Sequence, residues 1–151
     1  MVPLGAPYRR AAILGHRLAK NDIGMSFGPF RKLGHALEAW TGYSDRLLHG
    51  EGVAIGMCLA FRMSEELRIC PPGRAERVTN HLKAVGLPTK IGDIPGGPAD
   101  PAELFRLMGQ DKKVKAGKLA FILVHDIGQA FVSRDVQPET VLAFLAREIA
   151  R

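Results

Sequence analysis

Cysteine is scarce in this chain, and long apolar runs are absent. The two cysteines, Cys58 and Cys70, stand in unrelated surroundings without a Cys-x-x-Cys spacing. That excludes a disulfide scaffold and a thiolate metal cluster and fits reduced thiols in a cytoplasmic protein. Nowhere do the roughly 18 consecutive apolar residues of a membrane-spanning helix occur, so no membrane partner is expected. Residues 1–22 contain no continuous apolar stretch followed by a cleavage site and do not read as a signal peptide. No glycine-rich turn follows a strand pattern, so the chain has no dinucleotide-binding fingerprint of its own. Aromatic residues make up 7% of the sequence, and the basic segment near the start has none interleaved in a recognisable binding motif, which argues against a nucleic-acid partner.

What is present is ordinary in amount and uneven in placement. A length of 151 residues suits one domain, long enough to bury roughly two-thirds of its unfolded surface. Apolar residues at 46% and charged residues at 24% are usual for a globular protein. The net charge of +6 is concentrated at the start: Arg9, Arg10, Arg17, Lys20, Arg31 and Lys32 stand against the single acid Asp22, and the remainder is nearly balanced. Residues 1–29 therefore read as an irregular, solvated basic leader in which only Arg9 to Lys20 has helical character. Residues 30–151 read as the folded domain.

Within that domain the expected class is mainly α, several helices with one small β-hairpin near the C-terminus. Phe30, Leu33, Leu37 and Trp40 recur at helical spacing, predicting a helix over 30–41 that Gly42 ends. Residues 51–68 begin apolar nearly all round and turn polar, as a buried helix does when its tail surfaces; the prolines after Cys70 stop it. A helix over about 74–85 closes at Gly86. Asp100 caps a helix from Pro101 to about Gly109. Residues 118–124 and 129–133 read as two strands joined across His125–Gly128, and Pro138 opens the last helix.

Three stretches carry chemistry-bearing residues. His35 lies on the first helix, where a lone histidine is more often a packing or surface residue than a catalyst. His49 and Glu51 stand at the mouth of the most apolar helix, where desolvation makes them costly unless partnered; a ligand role and a structural role are evenly weighed. Gln110-Asp111-Lys112-Lys113-Val114 is a polar, cationic turn, either simply solvated or presenting an ammonium to a phosphate or carboxylate.

Taken in order, Gly34-His35-Ala36-Leu37-Glu38, Gly42-Tyr43, Leu48-His49-Gly50-Glu51-Gly52-Val53-Ala54-Ile55-Gly56-Met57, Asp111-Lys112-Lys113-Val114, Ile127-Gly128 and Asp135-Val136 resemble the C-terminal domain of 3-dehydroquinate synthase over roughly residues 33–151. The resemblance implies a lyase of the shikimate pathway, which serves aromatic amino acid biosynthesis. Such an enzyme converts a seven-carbon phosphorylated keto sugar acid to 3-dehydroquinate with elimination of phosphate. It implies a bound NAD that oxidises and then re-reduces the substrate, and a divalent metal, zinc or cobalt, as Lewis acid. By the same resemblance His49 is a metal ligand, His35 contacts substrate and moves a proton, and Lys112 or Lys113 contacts substrate. The partner is then a small phosphorylated molecule, together with a second copy of the chain or a separate chain supplying the N-terminal half.

The resemblance also breaks at identifiable places. The family's first ligand histidine stands four residues before the second, and here that position is Arg31. A guanidinium offers no lone pair. Held about 6 Å from a dication at an effective dielectric near roughly 20, it opposes binding by about 5 kcal/mol. The family's NAD site and its glutamate ligand belong to a preceding region unlike anything in this chain. The expectation is a synthase fragment that is inactive alone, with residues 1–32 read from a shifted frame. The alternatives are another sugar-phosphate cyclase, a metal-dependent polyol dehydrogenase domain, or a non-catalytic helical remnant.

Overall fold

The computed structural model describes residues 31–42, 44, 46–96, 98–109 and 121–151, with the backbone alone for Arg31, Lys32 and His35. The basic leader, the helical stretch expected within it, and the turn holding Lys112 and Lys113 lie outside the described residues. The elements in order are α1 (Arg31–Trp40), α2 (His49–Glu66), α3 (Arg74–Ala84), one 3-10 turn (Ile91–Asp93), α4 (Pro101–Gly109), β1 (Phe121–Asp126), β2 (Gln129–Ser133) and α5 (Pro138–Ala150). The mainly helical class with a C-terminal hairpin is thus the fold observed.

Helix α2 is the column on which the rest is assembled, which accounts for its nearly all-round apolar sequence. Ile55, Leu59 and Met63 recur every four residues and meet Leu37 of α1, Leu104 of α4 and Phe144 of α5 in the main core. Val53 and Met57 face Ile122 of β1, while Ala54 and Cys58 face Leu82 of α3. Each fully buried Leu or Ile of this kind stabilises the fold by about 1.5–3 kcal/mol relative to exposure.

The ends of α2 are fixed by polar contacts. The helix begins two residues earlier than its apolar pattern suggests, because the Glu51 carboxylate accepts the Leu48 N–H at 2.9 Å and satisfies a donor the first turn leaves open. At the other end the N–H groups of Ile69 and Cys70 both reach back to the Ser64 carbonyl, with Arg68 at φ 59° in the left-handed position that usually favours glycine. Helix α3 ends the same way with a glycine in that position: Gly86 has φ 86°, and Leu87 N–H donates to Leu82 O.

Strand β1 is buried on both faces. Phe121 and Leu123 enter the main core, while Ile122 and Val124 pack into the clusters along α2, so its apolar run is continuous rather than alternating. It pairs antiparallel with β2, Leu123 opposite Phe131, and the register shifts between Val124 and Asp126. His125, at that shift, stacks on Phe131 with ring centroids 4.3 Å apart. The Ser64 hydroxyl ties the hairpin to the column, accepting Val124 N–H at 2.9 Å and donating to Ala60 O at 2.7 Å. Asp100 accepts the Ala102 N–H at 3.2 Å, in keeping with its expected place as the cap of α4.

Candidate functional site

The site is built where α1 meets the start of α2, and glycine makes the meeting possible. A Cβ on Gly34 would stand 3.3 Å from the Gly52 carbonyl oxygen and 3.4 Å from its carbon. Both are backbone atoms that cannot turn aside, so the helices reach this distance only without a side chain there. Four residues on from Gly34 along α1 comes Glu38, and three residues back from Gly52 along α2 comes His49. These spacings keep each pair on one helix face, so the glycine contact delivers a carboxylate to an imidazole. The Glu38 Oε1 atom stands 3.1 Å from Nδ1 of His49.

The two partners differ in exposure. The Glu38 side chain is 12% exposed and that of His49 44%, so the acid is walled in while the ring reaches solvent. The connection between the helices is short and internally bonded: Thr41 Oγ1 donates to Glu38 O and Ser44 Oγ to Thr41 O, both at 2.8 Å. The Arg46 guanidinium lies over the Trp40 ring, 5.3 Å from its centroid, a packing that braces the turn.

Of the residues singled out from sequence, His49 takes its place at this junction. His35 occupies the position after Gly34 on α1; its side chain lies outside the described residues, as do Lys112 and Lys113. Glu51, weighed with His49 as a chemistry-bearing residue, serves as the cap of α2. Glu38 received no role from sequence, although the signal was available: it falls one turn beyond Gly34, on the stripe that must face the partner helix. Cys58 is buried, and burial pushes its thiol up from the ordinary range, which makes it a packing residue rather than a donor.

Among the described residues no three histidine, cysteine or acidic side chains converge as metal donors. One imidazole oriented by a carboxylate falls short of the three protein ligands of a catalytic zinc. The described residues therefore do not make a metal site by themselves. What the arrangement provides is an imidazole, half in water, with its Nδ1 edge occupied by an acid.

Comparison with known proteins places this junction in a family context. Curated relatives from Brucella ovis and Brucella canis, both named 3-dehydroquinate synthase, are 53% identical over 118 residues, covering 78% of this chain and 31% of theirs. The chain thus spans under a third of the length of these relatives. A solved structure of 2-deoxy-scyllo-inosose synthase shares the fold, with a TM-score of 0.62 and 20% identity over 85% of this chain and 34% of the other. That enzyme has also been solved with carbaglucose-6-phosphate, NAD+ and Co2+. A 2-epi-5-epi-valiolone synthase from Streptomyces hygroscopicus with NAD+ and Zn2+ bound aligns with a TM-score of 0.60 and 23% identity, covering 78% of this chain and 32% of that one. The family model for the C-terminal region of 3-dehydroquinate synthase matches residues 31–114, a segment that contains α1, α2 and the whole junction between them and is more than half of the 151 residues: the chain belongs to the 3-dehydroquinate synthase C-terminal family.

Proposed function

We propose that this chain supplies the C-terminal part of a cytoplasmic, phosphate-eliminating cyclase that makes 3-dehydroquinate from a seven-carbon keto sugar acid phosphate. The observation that carries the reading is the junction itself. The two stretches most like the family, Gly34–Glu38 and Leu48–Gly52, are docked on each other through a glycine pair and a Glu38–His49 contact. In this reading His49 presents a ring nitrogen to the site, His35 contacts the substrate and moves a proton, and Lys112 or Lys113 meets its phosphate or carboxylate. NAD and a divalent metal, zinc or cobalt, supply hydride exchange and Lewis acidity when bound in the assembled enzyme; the chain alone neither binds NAD tightly nor turns over. The synthase is preferred to a sister cyclase because sequence identity is 53% to the synthases against 20% and 23% to the two cyclases.

A chimaera tests this. Residues 33–151 are joined to the preceding part of the Brucella ovis relative, and a second junction at Ser26 brings in Arg31. The first chimaera is expected to release phosphate from the seven-carbon substrate. The second is expected to be slower by on the order of 1,000-fold, the guanidinium opposing the cation. The 151-residue chain alone is expected to release none. A folded first chimaera without activity, or turnover by the chain alone, overturns the reading.

A further inference from the structure

The segment that delivers His49 is fastened by one exposed side chain. Arg46 stands three residues before His49, and its guanidinium lies over the Trp40 ring at the end of α1, 5.3 Å from the centroid. The same guanidinium rests on the loop after the 3-10 turn: a Cβ on Gly96 would stand 2.9 Å from Arg46 Cζ and 3.3 Å from its Cδ. It therefore fills the place where another residue at 96 would carry its own side chain. Both supports are anchored. Trp40 packs against the main core, and Ile94 and Ala99, on either side of Gly96 in sequence, belong to that core. The Arg46 backbone is tied as well, its N–H reaching Ser44 Oγ at 3.4 Å while that hydroxyl donates to Thr41 O at 2.8 Å.

No carboxylate among the described residues lies within ion-pair reach of Arg46. Holding a long, exposed arginine still costs rotamer freedom, so the ring face and the bare Gly96 backbone are what hold it. We infer that Arg46 is a positioning residue, a strap that binds the start of α2 to the end of α1 and to the loop at Gly96 and so keeps His49 at Glu38. It acts through His49 and touches no reacting group. Small displacements of a site residue are costly in rate even when the fold is intact, which is why a surface strap can matter to chemistry. The inference rests on reading His49 as a site residue and extends that reading to an arginine that the sequence patterns and the family resemblance left without a role.

The sequence holds one tryptophan, so acrylamide quenching of its fluorescence reports the strap, and the nuclear Overhauser effect between the His49 ring and the Glu38 side chain reports what the strap holds. In Arg46→Ala of the full chain, quenching is expected to rise and the His49–Glu38 effect to weaken by about 2–5-fold, the strength of an exposed cation–π contact. The effect between Val53 and Ile122, packed together deeper along α2, is expected to stay as in wild type. Arg46→Lys, which keeps a cation for the ring, is expected to recover part of both changes. Should the alanine variant fail to fold, Arg46→Met keeps an apolar stem without the cation and gives the same readout. In the active chimaera Arg46→Ala is expected to lower kcat about 2–5-fold with KM unchanged. Unchanged quenching, an unchanged His49–Glu38 effect, or an unchanged kcat in an active chimaera overturns the inference. So does a Val53–Ile122 effect that weakens equally, since Arg46 would then hold the fold at large. The fluorescence and the Overhauser effects are read without substrate, cofactor or metal, so a silent chimaera counts against the proposed function and not against the strap.

Discussion

At the start of α2, Nδ1 of His49 stands 3.1 Å from Glu38; further along the same helix, the Arg62 guanidinium stands 2.9 Å from Glu148 of α5. Both contacts join α2 to a neighbouring helix, and their lengths are nearly equal. Their surroundings are not. The Arg62 and Glu148 side chains are 11% and 4% exposed, and the guanidinium also donates to the Thr89 carbonyl at 3.0 Å. That end is nearly closed: both charged groups are largely buried, and the one solvent-facing partner among the described residues is Arg151, 3.6 Å from Glu148. His49 keeps 44% of its side chain in contact with solvent, backed by an acid that is itself shielded. Exposure, rather than distance or charge, separates the contact that holds the fold from the one proposed to serve chemistry.

The comparison breaks most sharply at the closed end. Glu148→Ala leaves the Arg62 guanidinium buried with the Thr89 carbonyl and without its carboxylate. Urea denaturation is expected to show a loss of about 3–5 kcal/mol, and the double change Arg62→Met with Glu148→Leu to recover most of it. Next in size is Gly34→Ala. Its Cβ would meet backbone of Gly52 at 3.3 Å, so α1 must shift off α2 at a cost of about 1–3 kcal/mol. His49→Ala should be nearly silent by comparison on the same denaturation curve. Ser64→Ala removes the acceptor of the buried Val124 N–H and is expected to cost about 1–3 kcal/mol, showing up first as faster amide exchange in β1. Smallest is Arg147→Ala. The Arg147–Glu66 pair is short at 2.7 Å but 57% and 41% exposed, and the denaturation midpoint should not move measurably.

The elements of the fold were legible because periodicity and punctuation are local. The apolar spacing of Leu33, Leu37 and Trp40, the glycine at 86, the Asp100-Pro101 start and the Pro138 start each specify an element from its own residues. Where the reading slipped, the cause was a contact rather than a pattern. Helix α2 starts at His49 because Glu51 folds back onto Leu48, so an acid evenly weighed between ligand and structure takes the place of a cap. The Glu38–His49 contact joins residues separated by 11 positions across a turn, and Arg62–Glu148 spans 86; no helical period reports such pairs. Gly34 was the nearest sequence trace of the first, because a Cβ there would crowd the Gly52 backbone at 3.3 Å. His35, Lys112 and Lys113 rest on family likeness, and their side chains lie outside the described residues.

In the proposed function the two ends of α2 divide the work, the His49 end serving the reaction and the Arg62 end the fold. The most direct test is His49→Ala in the active chimaera, with phosphate release and the urea midpoint measured on the same preparation. Release is expected to fall on the order of 100-fold or more with the midpoint unchanged. Release that persists while the midpoint falls would contradict it.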